Sequence, residues 1–196
     1  MPPRCRFVAP TVAVAGLALL AAACSDTTGL PAAVIDNVVD TVSLFALFGT
    51  PISTPSAYDL SSRLGGVAAN ALVRTDQASA FDFAFNFDSL RRPVLLPPGA
   101  VGLGQSSGLQ RASRPFDSIT VAPTGGYAFD QPLVVDTGTV AVVRSRPTNC
   151  LFGVTVFLYA KLRVVAIDTT ARRIDFRILV DQNCGYRGLA PGIPTQ

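Results

Sequence analysis

The stretch Phe157–Asp181, with the sequence FLYAKLRVVAIDTTARRIDFRILVD, decides the fold of this chain. Apolar and polar residues alternate on both sides of a turn at Thr169–Arg172, which is the period-two pattern of two antiparallel strands. Pairing Ile167 with Ile174 gives each strand one apolar face. These faces are formed by Leu158, Ala160, Leu162, Val164 and Ala166 on the first strand and by Ile174, Phe176, Ile178 and Val180 on the second. The stretch therefore predicts a long hairpin with one face in the core and one in solvent.

A second strand pattern lies at Phe81–Asp88, where FDFAFNFD alternates four Phe with polar or small residues. This spacing predicts one aromatic face and one solvated face. Arg91–Pro93 has the composition of a turn, and Val94–Leu96 is the expected partner strand. Residues 97–115 are rich in Gly, Ser and Pro and have no periodicity, which predicts a long surface loop.

Further short strands are expected along the rest of the chain. They are Val38–Phe48, Phe116–Val121, Leu133–Val135 and Val140–Arg146. The first of them fits a helix nearly as well by spacing, but its β-branched and aromatic residues favour a strand. Many short strands with turns between them predict an all-β fold, a single sandwich or barrel-like antiparallel domain over 34–188. Residues 189–196 are expected to form a disordered tail.

The N-terminus has the pattern of an export signal. Arg4 and Arg6 form a short basic region, and Phe7–Leu20 is an apolar run without charge. A membrane-spanning helix needs about 20 apolar residues, and this run is shorter and ends in small residues. The segment therefore predicts a helical signal peptide rather than a span.

The signal ends in Leu20–Cys24, which reads LAAAC. This resembles the bacterial lipobox, although Ala21 stands where that family prefers Leu. The resemblance implies a signal peptide at 1–23, a lipid such as palmitate attached at Cys24, and a lipidated tether at 24–33. The alternative is an ordinary secretory signal cleaved at a nearby Ala-x-Ala, with Cys24 incidental.

The residue after the lipidated cysteine bears on location. In the Gram-negative lipoproteins that this N-terminus resembles, Asp at that place retains the protein in the inner membrane and Ser usually does not. Here Ser25 follows Cys24 and the Asp comes one step later, at Asp26. The resemblance implies an outer-membrane protein of the cell envelope whose partner is the membrane itself. The tether reaches at most about 30 Å, which keeps the domain near that membrane.

The cysteines divide by position. Cys5 leaves with the signal peptide and Cys24 takes the lipid, so Cys150 and Cys184 remain as a pair. An even pair in an oxidising compartment predicts a disulfide. A metal site built on two thiols without any His is not expected.

The charge balance excludes one class of partner. The formal net charge of +3 falls to +1 once Arg4 and Arg6 are removed with the signal peptide. No basic block remains, so nucleic acid is not an expected partner. The chain has no His and no Glu, which excludes a Ser-His-Asp triad and leaves Asp as the only acidic side chain.

One segment resembles an enzyme signature. Leu133–Thr139 reads LVVDTGT, similar to the aspartic-protease motif in which a strand delivers Asp-Thr-Gly to a cleft. That chemistry needs two such Asp residues that share a proton. The motif occurs once, so only a homodimer would pair Asp136 with a second copy. Asp-Thr-Gly is also an ordinary turn between strands, which is the favoured interpretation.

Other polar residues have structural interpretations beside functional ones. Lys161 would be the only lysine for a Ser–Lys pair, but a solvated strand position is favoured. Asp82, Asn86 and Asp88 share a strand face that would suit Ca²⁺, yet no loop motif supports a metal site. The glycines at Gly102, Gly104 and Gly108 do not have the dinucleotide-binding spacing. Arg91-Arg92 and Arg172-Arg173 are interpreted as turn charges.

A wider resemblance covers residues 75–185. Phe81–Phe85, Phe116–Ile119, Val140–Arg146 and Tyr159–Leu162 follow one another in the order of the strand motifs of the HmuY-type haem-binding lipoproteins. The resemblance implies an all-β surface lipoprotein of that fold. Haem in that family is held by His or Met, and the mature part of this chain has neither. A haem site here would need another ligand, such as Tyr.

These observations predict a membrane-tethered lipoprotein whose domain is a non-enzymatic binding or structural module, without a cofactor and with an unknown small-molecule or protein partner. Two alternatives stay open. One is a haemophore-like ligand-binding lipoprotein, and the other is a dimeric aspartic hydrolase that uses Asp136. A pocket lined by residues able to bind haem would favour the first alternative. A dimer that brings two copies of Asp136 together would favour the second.

Overall fold

The computed structural model describes residues 31–63, 68–149 and 153–195. All the elements below lie in one unit at Ala32–Gln196. The predicted signal peptide, Cys24 and nearly all of the tether lie outside the described residues, and so does Cys150. Within the described ranges, no helix is long and apolar enough to cross a membrane.

The described strands form two five-stranded antiparallel sheets and one short hairpin. The first sheet has the order β1 (Val39–Phe45), β12 (Arg173–Asp181), β11 (Tyr159–Asp168), β8 (Val140–Arg144) and β6 (Gly108–Arg111). The second has the order β3 (Leu72–Val73), β2 (Ala57–Tyr58), β4 (Phe83–Phe87), β5 (Pro93–Leu96) and β7 (Leu133–Val134). β9 (Thr148–Asn149) pairs with β10 (Thr155–Val156). Short 3-10 helices lie at Ser61–Arg63, Ala68–Ala71, Pro98–Val101 and Phe116–Ser118. The sheets pack together, so the predicted all-β antiparallel fold is confirmed as a sandwich.

The hairpin of β11 and β12 has the predicted register, with Ile167 opposite Ile174. A β-bulge between Val164 and Ala166 shifts the pairing by one residue. The extra residue turns Ala166 out to solvent and lets Ile167 pack against the core instead. The assignment of Ala166 to the apolar face is therefore wrong, because strict alternation does not survive a bulge.

Aromatic side chains fill the space between the sheets. The rings of Tyr58 and Phe83 are stacked at 5.5 Å between centroids, and Phe176 from the first sheet meets Phe83 at 5.8 Å. All three are fully buried. Burying each such ring stabilises the fold by roughly 1.5–3 kcal/mol, so this cluster holds the two sheets together.

The aromatic strand β4 differs from its prediction. Its three Phe face the core as expected, but Phe81 packs on the outer face of the second sheet together with Ala84. The chain bends at Asp82, so the alternation begins only at Phe83. Asp82 is fully buried, and the predicted solvated face is therefore wrong at this position.

The outer face of the first sheet is also covered. Phe116, Ile119 and Tyr127 from the segment between β6 and β8 pack on Val142 and Leu179 of the sheet. The expected strand Phe116–Val121 is instead a 3-10 turn followed by a single bridge from Val121 to Gly188. The segment crosses a sheet face rather than extending an edge, so its backbone has no ladder to join.

The expected surface loop 97–115 contains a strand. β6 lies at the edge of the first sheet and pairs Gly108 with Arg144. A Cβ added at Gly108 would lie 2.8 Å from the Cβ of Tyr127, so only glycine fits under the covering segment. The strand has only four residues, one of them a glycine. This is too short for an alternating pattern to identify it in the sequence.

Part of the segment 189–195, for which the sequence predicts a disordered tail, packs and hydrogen-bonds against the rest of the domain. Leu189 is fully buried in the cluster on the outer face of the first sheet. Its N–H donates to the carbonyl of Thr120 at 2.7 Å, and Gly192 exchanges hydrogen bonds with Asn37. The tail contains two prolines and a glycine, Pro191, Gly192 and Pro194, but backbone hydrogen bonds hold it, and composition does not reveal such bonds.

Candidate functional site

The two ends of the sandwich carry different chemistry. β1 starts at Val39 beside Leu179 of β12 and finishes at Phe45 beside Arg173, the first residue of β12. The end at which the chain enters β1 is termed the proximal end, and the opposite one the distal end. The proximal end holds residues 32–37, 59–62, 82, 146–149 and 181–183, and the distal end holds the loops 46–55, 88–92 and 169–172.

Loops from both sheets meet at the distal end. The N–H of Ala46 donates to the carbonyl of Arg172 at 2.8 Å, and the Arg172 guanidinium lies 4.8 Å from the centre of the Phe87 ring. The β4–β5 turn thus lies beside the β11–β12 turn. Between them is a pocket of about 500 Å³ lined by Phe87, Arg91, Thr169 and Arg172, termed the arginine pocket.

Asp88 holds the β4–β5 turn, which carries Arg91, through hydrogen bonds to its carboxylate. One carboxylate oxygen of Asp88 accepts the N–H groups of Leu90 at 2.9 Å and Arg92 at 2.8 Å, and the other accepts Nε of Arg92 at 2.8 Å. Desolvation alone would raise the pKa of Asp88, but these hydrogen bonds and the Arg92 charge together hold it below its usual value. Arg91 is left in the left-handed region with φ of 59°.

The β11–β12 turn repeats this design from the other sheet. Asp168 accepts the N–H groups of Thr170 at 2.9 Å and Ala171 at 2.8 Å. Arg172 follows with φ of 51°. Each turn therefore begins with an Asp that satisfies the turn's backbone and ends with an Arg in the left-handed region that lines the same pocket.

The conformation of Arg91 and Arg172 is costly. Within the described ranges these two are the residues other than glycine with positive φ. The left-handed region costs a non-glycine residue about 1 kcal/mol, and Gly or Asn would form the same turn more easily. Such strain concentrates at functional sites, where the side chain is needed in that place.

Arg172 is fixed on one side and open on the other. Its Nε donates to the carbonyl of Phe48 at 2.8 Å, and a Cβ at Gly49 would lie 2.9 Å from that nitrogen. The glycine thus lets the loop approach the guanidinium. Among the described residues, the terminal N–H groups of Arg172 and the whole guanidinium of Arg91 have no hydrogen-bond acceptor, so both face the pocket with donors to spare.

The rim of the distal end is apolar. Phe48, Ile52 and Leu90 are 72%, 75% and 70% exposed. Single exposed apolar side chains are common, but these three lie on the two loops that flank Arg172 and Arg91. The distal end therefore combines unsatisfied cationic donors with apolar surface, which suits a ligand that has an anionic and an apolar part.

At the proximal end, aspartate and arginine side chains instead pair with each other. Asp82 precedes β4 and is fully buried, and Arg146 follows β8 from the other sheet. Asp82 accepts the N–H of Arg146 at 2.7 Å, its Nε at 3.2 Å, and the N–H of Leu60 at 2.7 Å. Arg146 also donates to Asp59 at 2.7 Å. This cluster ties the two sheets together.

The two carboxylates of this cluster differ in pKa. Burial raises the pKa of Asp82 to about 6, although the Arg146 backbone and charge act against it. Burial would also raise the pKa of Asp59, but hydrogen bonds from Ser61 and Ser62 and the Arg146 charge lower it below its usual value. Paired carboxyls of unequal pKa are the pattern of acid and base catalysis. Here every oxygen of Asp82 is occupied by the chain itself, which gives it a structural role.

A polar pocket of about 250 Å³ adjoins the cluster. It is lined by Ser61, Asp82, Arg146, Pro147, Thr148, Asn149 and Thr155. Its other polar lining residues carry hydroxyl and amide groups, and its two charged residues, Asp82 and Arg146, pair with each other. The pocket can accept a small neutral polar molecule, but it presents no unpaired charge to orient one.

The start of the domain is held at the proximal end by Asn183. Its side-chain oxygen accepts the N–H groups of Val34 at 2.9 Å and Ile35 at 3.0 Å, and its amide donates to the Ile35 carbonyl at 2.8 Å. Asp181 orients this amide at 3.0 Å, and burial raises the pKa of Asp181 to about 6. Cys184 follows directly, while its predicted partner Cys150 lies outside the described residues, so the disulfide stays a prediction.

Asp136 and Lys161 take the structural roles of turn and core. Asp136 is exposed, and its N–H bonds the hydroxyl of Thr139 at 2.9 Å within a turn, as the favoured interpretation predicts. Lys161 was predicted on a solvated face, and that is wrong. It is 1% exposed, and its Nζ donates to the carbonyls of Phe116 and Ile119 at 2.9 Å each. The covering segment buries this face and lowers the pKa of Lys161.

The remaining candidates line neither the arginine pocket nor the polar pocket. Asn86 and Asp88 are separated from the buried Asp82, and in the described ranges no group of three His, Cys or acidic side chains is placed to hold a metal ion. Gly102 and Gly104 have open space around them. The tyrosines are engaged in packing or hydrogen bonds: Tyr58 is in the core, Tyr127 donates to Pro123, Tyr159 lies near Tyr127, and Tyr186 accepts from Ala33.

Sequence reasoning missed the arginine pocket. From the sequence, Arg91 and Arg172 are interpreted as turn charges, Phe87 as part of an aromatic strand face, and Thr169 as a turn residue. A signal was present, because DSLRR at 88–92 and DTTARR at 168–173 both place an Asp before an Arg pair across a turn. That repeat gives the local design of each turn, but only the tertiary structure brings the two turns together.

No protein-family model matches the chain, and a sequence search among curated proteins gives no match either. The lipobox and HmuY-type resemblances therefore remain predictions. Function is inferred from the residues of the two ends.

Proposed function

We propose that this chain is a lipid-anchored envelope protein whose β-sandwich is a non-enzymatic binding module, held at its proximal end and binding at its distal end. The observation that supports it is the separation of the two ends. The chain enters beside Asn183, and the arginine pocket lies beyond the other end of β1, a strand of seven residues that spans about 20 Å.

The anchor rests on Leu20–Cys24 and on where the domain begins. A lipid on Cys24 leaves eight residues between it and Ala33, whose N–H donates to the hydroxyl of Tyr186 at 3.2 Å. The anchored domain would thus have little free chain and would turn its proximal end toward the membrane. The arginine pocket would then face away from that membrane, where a ligand or partner can reach it.

A binding role fits the chemistry better than catalysis. The arginine pocket has two guanidinium groups that attract anions, but arginine does not give up its proton and so is a poor general acid or base. The carboxylates of Asp59 and Asp82 are engaged within the fold. The haemophore-like and Asp136-hydrolase alternatives gain no specific support from these contacts.

Metabolic labelling with palmitate tests the anchor. Wild-type protein should incorporate the label and sediment with membranes, while Cys24→Ser should lose the label and be released. Cys5→Ser is the matched control, because Cys5 lies inside the signal and should not matter. Labelling that persists in Cys24→Ser would contradict the proposal.

We further propose that the membrane is the outer membrane, because Ser25 rather than Asp follows Cys24. Ser25→Asp should shift the protein toward the inner membrane on a density gradient, and Asp26→Ser should not move it. Inner-membrane residence of the wild type would contradict the outer-membrane assignment and leave the lipid anchor intact.

A further inference from the structure

We propose that the arginine pocket binds a phosphate monoester carried on an apolar molecule, with the phosphate between Arg91 and Arg172 and the apolar part against Phe87 and the exposed rim. This inference rests on the proposed binding role of the distal end and names its ligand class. It follows from the charges, the donors and the walls of the pocket.

The pocket selects an anion. Arg91, Arg172 and Thr169 line it, and none of its described lining residues is acidic. The acidic side chains that begin the two turns, Asp88 and Asp168, accept hydrogen bonds inside their own turns. Opposite charge on a ligand would therefore meet two cations without a competing protein carboxylate.

The donors suit a phosphate better than a carboxylate. One guanidinium fork satisfies a carboxylate, whereas Arg91 and Arg172 come from separate turns and bring Thr169 with them. The three terminal oxygens of a phosphate monoester can accept from both guanidinium groups and the hydroxyl at once. Nε of Arg172 is held by the Phe48 carbonyl at 2.8 Å, so this arginine is oriented before a ligand arrives.

The walls suit an apolar body on that phosphate. The Phe87 ring forms one side of the pocket, and Phe48 and Leu90 stand exposed on the loops beside it. A volume of about 500 Å³ exceeds what a bare phosphate needs and lies in the range of small-molecule sites. Inorganic phosphate should therefore bind more weakly than an aromatic or aliphatic ester.

The left-handed conformation of Arg91 gives the test a second readout. Arg91→Gly removes a donor and relieves the backbone at φ of 59°. A purely structural arginine would cost stability when removed. A binding arginine in a strained position should lose affinity while the melting temperature holds or rises.

Calorimetric titration of the purified full chain with 1-naphthyl phosphate tests the proposal. We expect saturable binding that weakens at least tenfold in Arg91→Gln, Arg91→Gly and Arg172→Gln. Arg163→Gln is the matched control, because Arg163 is exposed on β11 outside the pocket, and it should bind like the wild type. Equal affinity in the wild type and the pocket variants would overturn the site.

Three further ligands test the chemical class. 1-Naphthol lacks the anion, 1-naphthoate replaces phosphate by carboxylate, and inorganic phosphate lacks the apolar body. Each should bind at least tenfold more weakly than the phosphate ester. If naphthoate binds as tightly and depends on Arg91, the ligand class is wrong and the binding role of the distal end stands. If no probe depends on Arg91, both fail, whereas the Cys24 labelling result stays independent of either.

Competition with lipid vesicles distinguishes a lipid headgroup from a soluble phosphate ester as the ligand. Phosphatidylcholine vesicles with phosphatidic acid should compete with naphthyl phosphate if the ligand is a lipid headgroup, and pure phosphatidylcholine vesicles should not. Competition by both kinds of vesicle would overturn the phosphate requirement, since only the first kind carries a phosphate monoester. Absence of competition with tight binding of the free ester supports a soluble ligand.

Discussion

The proximal and distal ends of this sandwich use Asp and Arg in opposite ways. At the proximal end Asp82 and Arg146 satisfy one another in a buried cluster that joins the two sheets. At the distal end Asp88 and Asp168 satisfy only the backbone and neighbours of their own turns. The arginine beside each is left with free donors, so the same residue types stabilise one end and offer a ligand site at the other.

The two ends differ in whether the chain itself supplies an acceptor for the arginine side chain. A buried ion pair repays its desolvation only when every donor and acceptor is matched, as at Asp82. A solvent-accessible guanidinium has little desolvation cost in the free protein, because water solvates it while no ligand is bound. Burial and matching therefore separate a structural charge from a functional one better than charge alone.

The largest effect should come from breaking the proximal cluster. Asp82→Ala leaves the N–H groups of Leu60 and Arg146 and the Nε of Arg146 without their acceptor, and we expect the free energy of unfolding to fall by about 3–5 kcal/mol. Asp88→Ala is the matched control at the other end of β4. It should cost about 1 kcal/mol because water can replace an exposed turn cap. Urea denaturation measures both, and equal losses would remove the distinction between the ends.

A second effect concerns the proposed disulfide of Cys150 and Cys184. Replacing Cys184 by Ser should lower the free energy of unfolding by roughly 2–4 kcal/mol, because the unfolded chain regains the closed loop. Amide protection of Leu162 to Val180 should fall first, since Cys184 directly follows β12. Two free thiols in non-reducing mass spectrometry of exported protein would contradict the pairing.

The sequence predicted the strands that pair locally and missed what covers them. The register of β11 and β12 followed from alternation, because a hairpin is read from adjacent residues. The burial of Lys161 did not, since the carbonyls that hold it belong to Phe116 and Ile119, more than 40 residues away. Alternation marks two faces of a strand but does not say whether a distant segment covers the polar one.

The candidate site was missed for the same reason. The turn at 169–172 is predicted correctly, while the turn predicted at Arg91–Pro93 begins earlier, at Asp88, and Pro93 already belongs to β5. The arginines of both turns are interpreted as turn charges. Nothing local tells that the two turns belong to facing sheets and share one pocket. Asp136 shows the opposite case, in which a local turn interpretation was sufficient.

A smaller effect should appear with pH at the proximal end. Burial raises the pKa of Asp181 to about 6, above the roughly 3.9 expected in the unfolded chain. The folded state then holds the proton more tightly. Its contribution to stability is full below about pH 4 and is lost as the pH rises through 6, by about 3 kcal/mol.

Asp181→Asn removes that titration. The variant should flatten the fall in unfolding free energy between pH 4 and pH 7, when denaturation is followed at each pH. Asp82 shares the raised pKa and keeps part of the slope. An unchanged pH profile in the variant would show that Asp181 does not titrate in this window.

The smallest effect should come from relieving the backbone at Arg91, and it decides whether the distal turn is strained. Arg91→Gly should raise the free energy of unfolding by about 0.5–1 kcal/mol, because glycine adopts a φ of 59° without the clash of a Cβ. Arg91→Ala is the control, since it removes the same side chain and keeps the Cβ, so it should remain below the glycine variant. If the two variants unfold at the same urea concentration, the conformation costs nothing and Arg91 has no strain to explain. If the glycine variant is the more stable, Arg91 lowers the free energy of unfolding, and only a function of its side chain explains why arginine stands there. The distal end then differs from the proximal end, whose charged residues stabilise the fold.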